Sequence, residues 1–435
     1  MKQKIRKSLK YSFLDGTFFS VMFGFGDSYL TPYAIMLKAT NFQIGLLSSL
    51  PGLLSSLLQI PAPLCTEKVG RARIMKWGVF IQAMMWLPIL LVPYLFHRHA
   101  AGWLIVAVTF YLLAGSVAGP AWGSIMSQYL PAKKRGEYFS WRQKIHGAIA
   151  LVATFSAGYI LYLLPRTSIT GFSIIFGVAL VCRFISWHYL SRMHEPRLLC
   201  KPETVFTLWD FLSRARKSNF AKFVFFAGAM SFAVNLSSPF FSVYMLRELK
   251  FDYLSYVIVI SSATLATLLS LSAWGRHSDR FGCMKVIRFT SLLIPFVPVL
   301  WLVSTSKAYL TAIQLLSGFA WAGFNLAITN FIYDAVSEAK RVRCIAYFNL
   351  INGMGVFVGA TLGGWLIAKL PPISGSKILT IFVLSGILRI LVRSAFLPRL
   401  HEVKKVEEMT HLNLFFSVLG VKPLIVFVQD ALRIE

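Results

Sequence analysis

Acid is what this chain has least of. It holds 17 Asp and Glu against 44 Lys and Arg, and charge of both signs reaches only 14% of its 435 residues. Soluble domains carry about 25% charged residues. With 56% hydrophobic residues, the composition excludes an ordinary soluble protein and makes lipid the main solvent. Cysteine is scarce: Cys65, Cys182, Cys200, Cys283 and Cys344. None lies on the loops assigned below to the outer face, so structural disulfides are not expected. No phosphate-cradling G-x-x-x-x-G-K-[ST] run occurs, which argues against direct coupling to ATP. His97 and His99 share a loop, but two ligands do not make a metal site. No metal or cofactor is expected.

Long apolar runs are plentiful. They fall near 12–36, 43–64, 75–96, 103–127, 139–164, 171–191, 222–246, 253–274, 286–304, 309–333, 345–368 and 377–397. Most have the roughly 20 residues that a hydrocarbon core of about 30 Å demands of a helix. The sequence therefore predicts an all-α integral membrane protein with twelve transmembrane helices. The net charge of +27 sorts by side. Lys2, Lys4, Arg6, Lys7 and Lys10 precede the first span, and Lys68/Arg71/Arg73, Lys133/Lys134/Arg135, Arg276/Arg280/Lys285 and Lys340/Arg341/Arg343 fill the even-to-odd loops. The opposite loops are sparse in Lys and Arg. The positive-inside rule places both termini in the cytoplasm, in a multi-pass cell (inner) membrane protein. The charge is an orientation signal with some attraction to anionic membrane lipids rather than a nucleic-acid site.

The halves repeat. Glu67-Lys68-Val69-Gly70-Arg71-Ala72-Arg73 and Gly275-Arg276-His277-Ser278-Asp279-Arg280-Phe281-Gly282 both join apolar spans, and their last glycines lie 282 − 70 = 212 residues apart. His194-Glu195 after span six matches His401-Glu402 after span twelve, and Arg183 matches Arg389. Six helices are duplicated. The paired loops resemble the G-x-x-x-D-R-x-G-R-[RK] motif of the major facilitator superfamily of secondary transporters, found there between helices 2 and 3 and again between 8 and 9. The second copy keeps Gly275, Asp279, Arg280 and Gly282 but has Cys283 for Arg; the first has Pro63 for the leading Gly. The resemblance implies two six-helix halves related by a pseudo-twofold axis. It gives an N-terminal half (1–192), a cytoplasmic linker with a short amphipathic helix (193–221), a C-terminal half (222–397) and a cytoplasmic tail (398–435). Within the tail, 412–428 is apolar but short and interrupted by Pro423, and is read as interfacial rather than a thirteenth span. The glycine-rich run of drug–proton antiporters is missing from span five and has only a partial counterpart in span eleven, so no subgroup is assigned.

The resemblance also implies alternating access without enzyme activity. The expected function is secondary active transport of a small, non-anionic or amphipathic solute, proton-coupled, by a monomer. A polytopic membrane enzyme or a transporter-like sensor without flux are the alternatives. An enzyme would need convergent acids or a nucleophile with its base, and a sensor would need a signalling domain. In the family, spans one, four, seven and ten line the cavity. Candidates on them are Thr31, Trp122, Ser231, Asn235, Ser238, Trp321, Asn325 and Thr329, each of which can alternatively tie helices together. These four spans carry no Lys or Arg near mid-depth, which disfavours a strongly anionic substrate.

Asp27 is the one acid read as deep, just past the middle of span one, between Gly24/Gly26 and Pro32. A carboxyl that is neutral when dry and charged when wet suits proton coupling, and a charged one suits a cationic substrate; a structural Asp satisfied by the helix break is the other reading. Asp15 is placed near the start of the span, as a candidate partner for Arg183. Arg183 and Arg389 are expected to snorkel at the periphery or pair locally. Gly115, Gly119 and Gly123 in span four, and Gly355, Gly359 and Gly363 in span eleven, are read as close-packing surfaces. By family resemblance, Glu67, Lys68, Gly70, Arg71, Gly275, Asp279, Arg280 and Gly282 form a gate between the halves.

Overall fold

The computed structural model describes residues 2–59, 69–96, 98–130, 132–165, 169–196, 211, 218–336 and 338–403. Glu67, Lys68, Cys65, Cys200, most of the linker and the tail beyond 403 lie outside them. Ten helices among the described residues are long and apolar enough to cross a membrane, from Arg71–Leu95 to Lys377–Arg399. Two more precede them. Span one runs Lys2–Phe25, breaks into a 3₁₀ turn at Asp27–Tyr29, and resumes as Leu30–Met36; span two is Asn41–Leu58. The first is basic at its start and interrupted, and the second is diluted by Asn41, Gln43, four serines and Pro51. The chain is thus a twelve-helix, all-α membrane protein.

The duplication reaches the backbone. Gly70 and Gly282 cap the starts of spans three and nine at φ 91° and 90°, a region open to glycine because it lacks Cβ. Lys38 and Lys250, 250 − 38 = 212 apart, end spans one and seven at φ 60° and 52°. Thr40 and Asp252, at the same offset, are the N-caps of spans two and eight. Each such cap contributes about 1 kcal/mol. Spans seven and nine are broken as span one is, at Asn235–Phe240 and Leu293–Phe296.

Ser8 accepts a hydrogen bond from the His194 backbone N–H (3.0 Å), and Asn219 bonds the backbone of His401. The start of each half therefore meets its own end on one face, called here the terminal face. On that face the buried apolar core is split. Met75, Ile125, Met126 and Leu190 belong to a cluster of the first half, and Phe223, Trp274, Phe331 and Tyr347 to a cluster of the second. On the opposite, outer face a single cluster crosses the halves, joining Tyr33, Phe172 and Phe176 to Tyr253, Tyr256 and Trp301. Phe172 and Tyr253 pack edge-on at 5.8 Å. The buried apolar core is thus continuous across the halves on the outer side and divided on the terminal side, where Asn349 of span eleven donates to Gln59 of span two at 3.0 Å.

Candidate functional site

Span one is bent where its glycines admit neighbours. A Cβ on Gly24 would lie 2.5 Å from Ala153 of span five, and one on Gly26 would overlap the Trp86 ring of span three. Trp86, fully buried, packs at 5.0 Å on Tyr111 of span four. Tyr111 donates its hydroxyl to Asp27 Oδ1 at 2.6 Å. Beyond the break, Tyr29 donates to the Thr154 carbonyl at 2.6 Å. Asp27 is therefore aimed by a break that Gly26 permits and Trp86 fills. Its Oδ2 makes no hydrogen bond to any described residue.

Asp27 lines a cavity of about 590 Å³. Every lining residue comes from the first half, including Gly52 and Ser55 near the end of span two, Met75 near the start of span three and Leu190 near the end of span six. These are terminal-face ends, so the cavity runs from Asp27 toward the terminal face. Its wall is apolar apart from one polar cluster. Three expectations are corrected here.

Of the two readings of Arg183, local pairing holds, with Asp15 reached through Ser186, and snorkelling does not. Arg183 is 5% exposed, donates from Nε to Gln82 Oε1 (3.0 Å) and from Nη1 to Ser186 Oγ (2.8 Å), and lies over the Phe19 ring at 4.8 Å. Ser186 in turn donates to Asp15 Oδ1 at 2.6 Å. Asp15 is as buried as Arg183, so Asp27 is not the only deep acid. The helix starts at Lys2 rather than near residue 12, because Lys and Arg are good helix formers, and Asp15 falls more than three turns inside it. Arg389 is likewise buried, at 2%. Its donors go to Ser385, Ser237 and the carbonyls of Ile294 and Val234, the carbonyl ends left open where spans nine and seven break. Such carbonyls carry the negative end of the helix dipole, so here backbone takes the place of a carboxylate.

The third correction concerns the glycines. Gly355, Gly359 and Gly363 press on the backbone carbonyls of Gly228, Phe232 and Leu236 in span seven, where a Cβ would overlap those oxygens. That is the close packing expected. Gly119 and Gly123, by contrast, have nothing within 4 Å of where a Cβ would stand, and Gly115 faces Gln82. Gly115 and Gly119 line the cavity; span four uses small residues there to leave space rather than to pack.

Of the remaining candidates, Trp122 lines the cavity, donating Nε1 to Ser12 Oγ (3.2 Å) beneath the Arg142 guanidinium at 4.6 Å. The others are not among its lining residues. Thr31 follows the 3₁₀ turn, whose tighter winding shifts it off the face it would share with Asp27 in a regular helix. Ser231 donates to Asn352 Oδ1 of span eleven, Asn235 bonds the Ser231 carbonyl and Thr329 the Asn325 carbonyl. Trp321 packs on Phe324 at 5.5 Å. Ser238, Asn325 and Thr329 are exposed. Reading the sequence missed Gln82, Tyr111 and Ser186; a glutamine inside an otherwise apolar span three was the available signal.

In the paired loops, Arg71 is 2% exposed and ion-paired to Glu195 at 3.5 Å, with hydrogen bonds to Ser124, Gln128 and the Pro196 carbonyl. Its partners lie in its own half or in the first residues of the linker that follows it. In the second half Cys283 replaces that arginine, and Glu402, the counterpart of Glu195, accepts instead from the Met284 backbone N–H at 2.8 Å. Asp279 and Arg280 are exposed. Among the described residues no group of three His, Cys, Asp or Glu could hold a metal ion.

The model of the Major Facilitator Superfamily matches residues 16–234 and again 223–428. An uncharacterised MFS-type transporter of Methanocaldococcus jannaschii is 25% identical over 372 residues, 80% of this chain and 89% of the relative. A mutant of the nucleoside transporter NupG superposes with a TM-score of 0.72 at 15% identity, covering 90% of this chain and 99% of that one. A bacterial homologue of the iron transporter ferroportin, in its inward-facing state, gives 0.68 at 15% identity over 91% of this chain and 98% of its own. In its outward-facing state the score is 0.59 at 14% identity. The family match spans both halves of the duplication, and the chain belongs to the major facilitator superfamily of transporters.

Proposed function

We propose that this secondary transporter moves a small, non-anionic or amphipathic solute through the first-half cavity by alternating access, coupled to protons at Asp27. The carrying observation is the position of that carboxylate. One oxygen is held by Tyr111, and the other has no hydrogen-bond partner among the described residues at the inner end of a 590 Å³ cavity. A carboxyl held this way changes charge as the site wets and dries, which is what coupling requires. The non-anionic preference rests on charge balance: the cavity wall pairs Arg142 and Arg183 with Asp15 and Asp27, so with both acids ionised it offers an anion no net positive charge. The apolar remainder, with Phe19, Phe23 and Trp122, suits an apolar body. The terminal face is assigned to the cytoplasm of a cell membrane by its excess of Lys and Arg, and the working unit is a monomer. When that face closes, the exposed Asp279 and Arg280 would join Gly275, Gly282, Gly70 and Arg71 as the gate between halves.

The test is an uptake screen in proteoliposomes with an imposed pH gradient, nucleosides included because NupG is a nucleoside transporter. Wild type accumulates its solute against a gradient. Asp27→Asn, a neutral mimic of the protonated side chain, loses accumulation yet keeps downhill exchange. Full pH-driven accumulation by a well-folded Asp27→Asn variant eliminates the coupling role. Loss of exchange as well reassigns Asp27 to direct contact with a cationic substrate, a charge-assisted bond of about 1.5–3 kcal/mol.

A further inference from the structure

The outer face carries a polar contact that the cavity does not explain. Span seven leaves the α-helix at its outer end and winds as a π-helix over Tyr244–Glu248. Such segments are rare and widen the helix, swinging their side chains out of register. Arg247 lies in it, half-buried, and reaches across the boundary between the halves. It donates one Nη to the Ala39 carbonyl and sets the other 3.4 Å from Asn41 Oδ1. Ala39 lies in the turn that joins spans one and two, and Asn41 opens span two.

That turn is built to hold its shape. Lys38 has φ 60°. The Leu37 and Ala39 N–H groups bond back to the Tyr33 and Ala34 carbonyls, and Thr40 with Gln43 closes a capping box. On its other side Gly364 of span eleven approaches so closely that a Cβ would lie 2.7 Å from the Asn41 carbonyl. The turn is therefore gripped by two elements of the opposite half. The grip departs from the internal symmetry. The position matching Arg247 in the first half, 247 − 212 = 35, is Ile35, in ordinary α-helix. The duplicated fold does not need an arginine here.

We propose that Arg247 is a latch that holds the outer face shut, and that the outer face opens only when this side chain leaves the Ala39–Asn41 turn. The proposal rests on the alternating-access reading, but it concerns a residue remote from the solute cavity. A guanidinium stays charged at any physiological pH, so protonation does not release the latch. Repacking of the halves must do so, and the latch adds a fixed bias toward the state joined across its outer face.

The test uses a single cysteine at Tyr253, a residue 8% exposed in the cluster shared by the halves, in a chain with its five native cysteines replaced. Its rate of alkylation by a membrane-impermeant maleimide is read from the outer face, with no solute required. Arg247→Ala is expected to raise that rate about tenfold or more, in line with loss of a charge-assisted hydrogen bond. Arg247→Lys, which keeps the charge but not the two-armed fork, should fall between. The rise should be the same at pH 6 and pH 8. Should Arg247→Ala not fold, Arg247→Gln is read in its place, folding being scored by thermal melting. An unchanged rate in the folded variant overturns the latch, and so does a rise confined to one pH. A two-state outer face in which Arg247 plays no part would leave alternating access standing and the latch refuted, so the two ideas fail separately.

Discussion

At the scale of single residues, charge inside this protein survives where backbone or a second side chain meets it. Arg183 is met by Gln82 and, through Ser186, by Asp15; Arg389, its counterpart, is met by helix-end carbonyls. Removing a partner from such a group leaves a buried charge unsatisfied, a change that typically costs about 3–5 kcal/mol. The outer loops give a case that titrates in water. Asp252 caps span eight. Its partial burial works against the charge, but the Ser255 N–H and hydroxyl and Lys307 at 3.3 Å outweigh it and hold the carboxyl down at about 2. A depressed acid stabilises the fold above its ordinary range, near pH 4, and loses that contribution as pH falls toward 2. Asp252→Ala should therefore lower the melting temperature by an amount equivalent to about 1 kcal/mol at neutral pH. The gap from wild type should narrow below pH 4; a gap that widens in acid would refute the account. This scale was the least legible in the sequence. Asp27 stood out because an acid amid glycines is conspicuous, whereas Asp15 looked superficial until the helix was seen to begin at Lys2. The pairing of Gln82 with Arg183 joins residues 101 apart, a contact that no local pattern encodes.

At the scale of elements, glycine does opposite things in two helices with the same spacing. Span eleven presses Gly359 onto the Phe232 carbonyl, while span four turns Gly119 to open space. Gly359→Ala must separate spans seven and eleven and should cost roughly 1–3 kcal/mol, the usual penalty of overpacking, read as a lower melting temperature. Gly119→Ala should leave melting within error, and its effect should appear in solute affinity because its Cβ enters the cavity. Equal destabilisation by the two substitutions would show that span four packs there after all. The sequence displayed both glycine stripes but not their faces, since spacing fixes which residues share a face and not what that face meets. The break in span one was more legible: Gly26 and Pro32 flank it, and each alters what the backbone can adopt or donate.

At the scale of the whole molecule, the twelve spans and their duplication could be read from hydropathy and from the 212-residue offset, and the backbone repeats that offset at Lys38/Lys250 and Gly70/Gly282. The division of labour between halves could not. A pseudo-twofold pattern suggests a cavity shared evenly, yet the cavity described here is walled by the first half alone, while the second half contributes Arg247 to the outer closure. The apolar core follows the same logic, joined outside and split on the terminal face. If transport proceeds by rocking of the halves, that pattern must invert during the cycle. The most direct measurement uses two pairs of spin labels in lipid, one across the terminal face at Arg73 and Arg276 and one across the outer face at Arg98 and Lys307, all four of them exposed. Alternating access predicts two populations whose distances move in opposition: where the terminal pair is long the outer pair is short, and the reverse. Distances that stay single and fixed across pH and added solute, or that lengthen together, would contradict it.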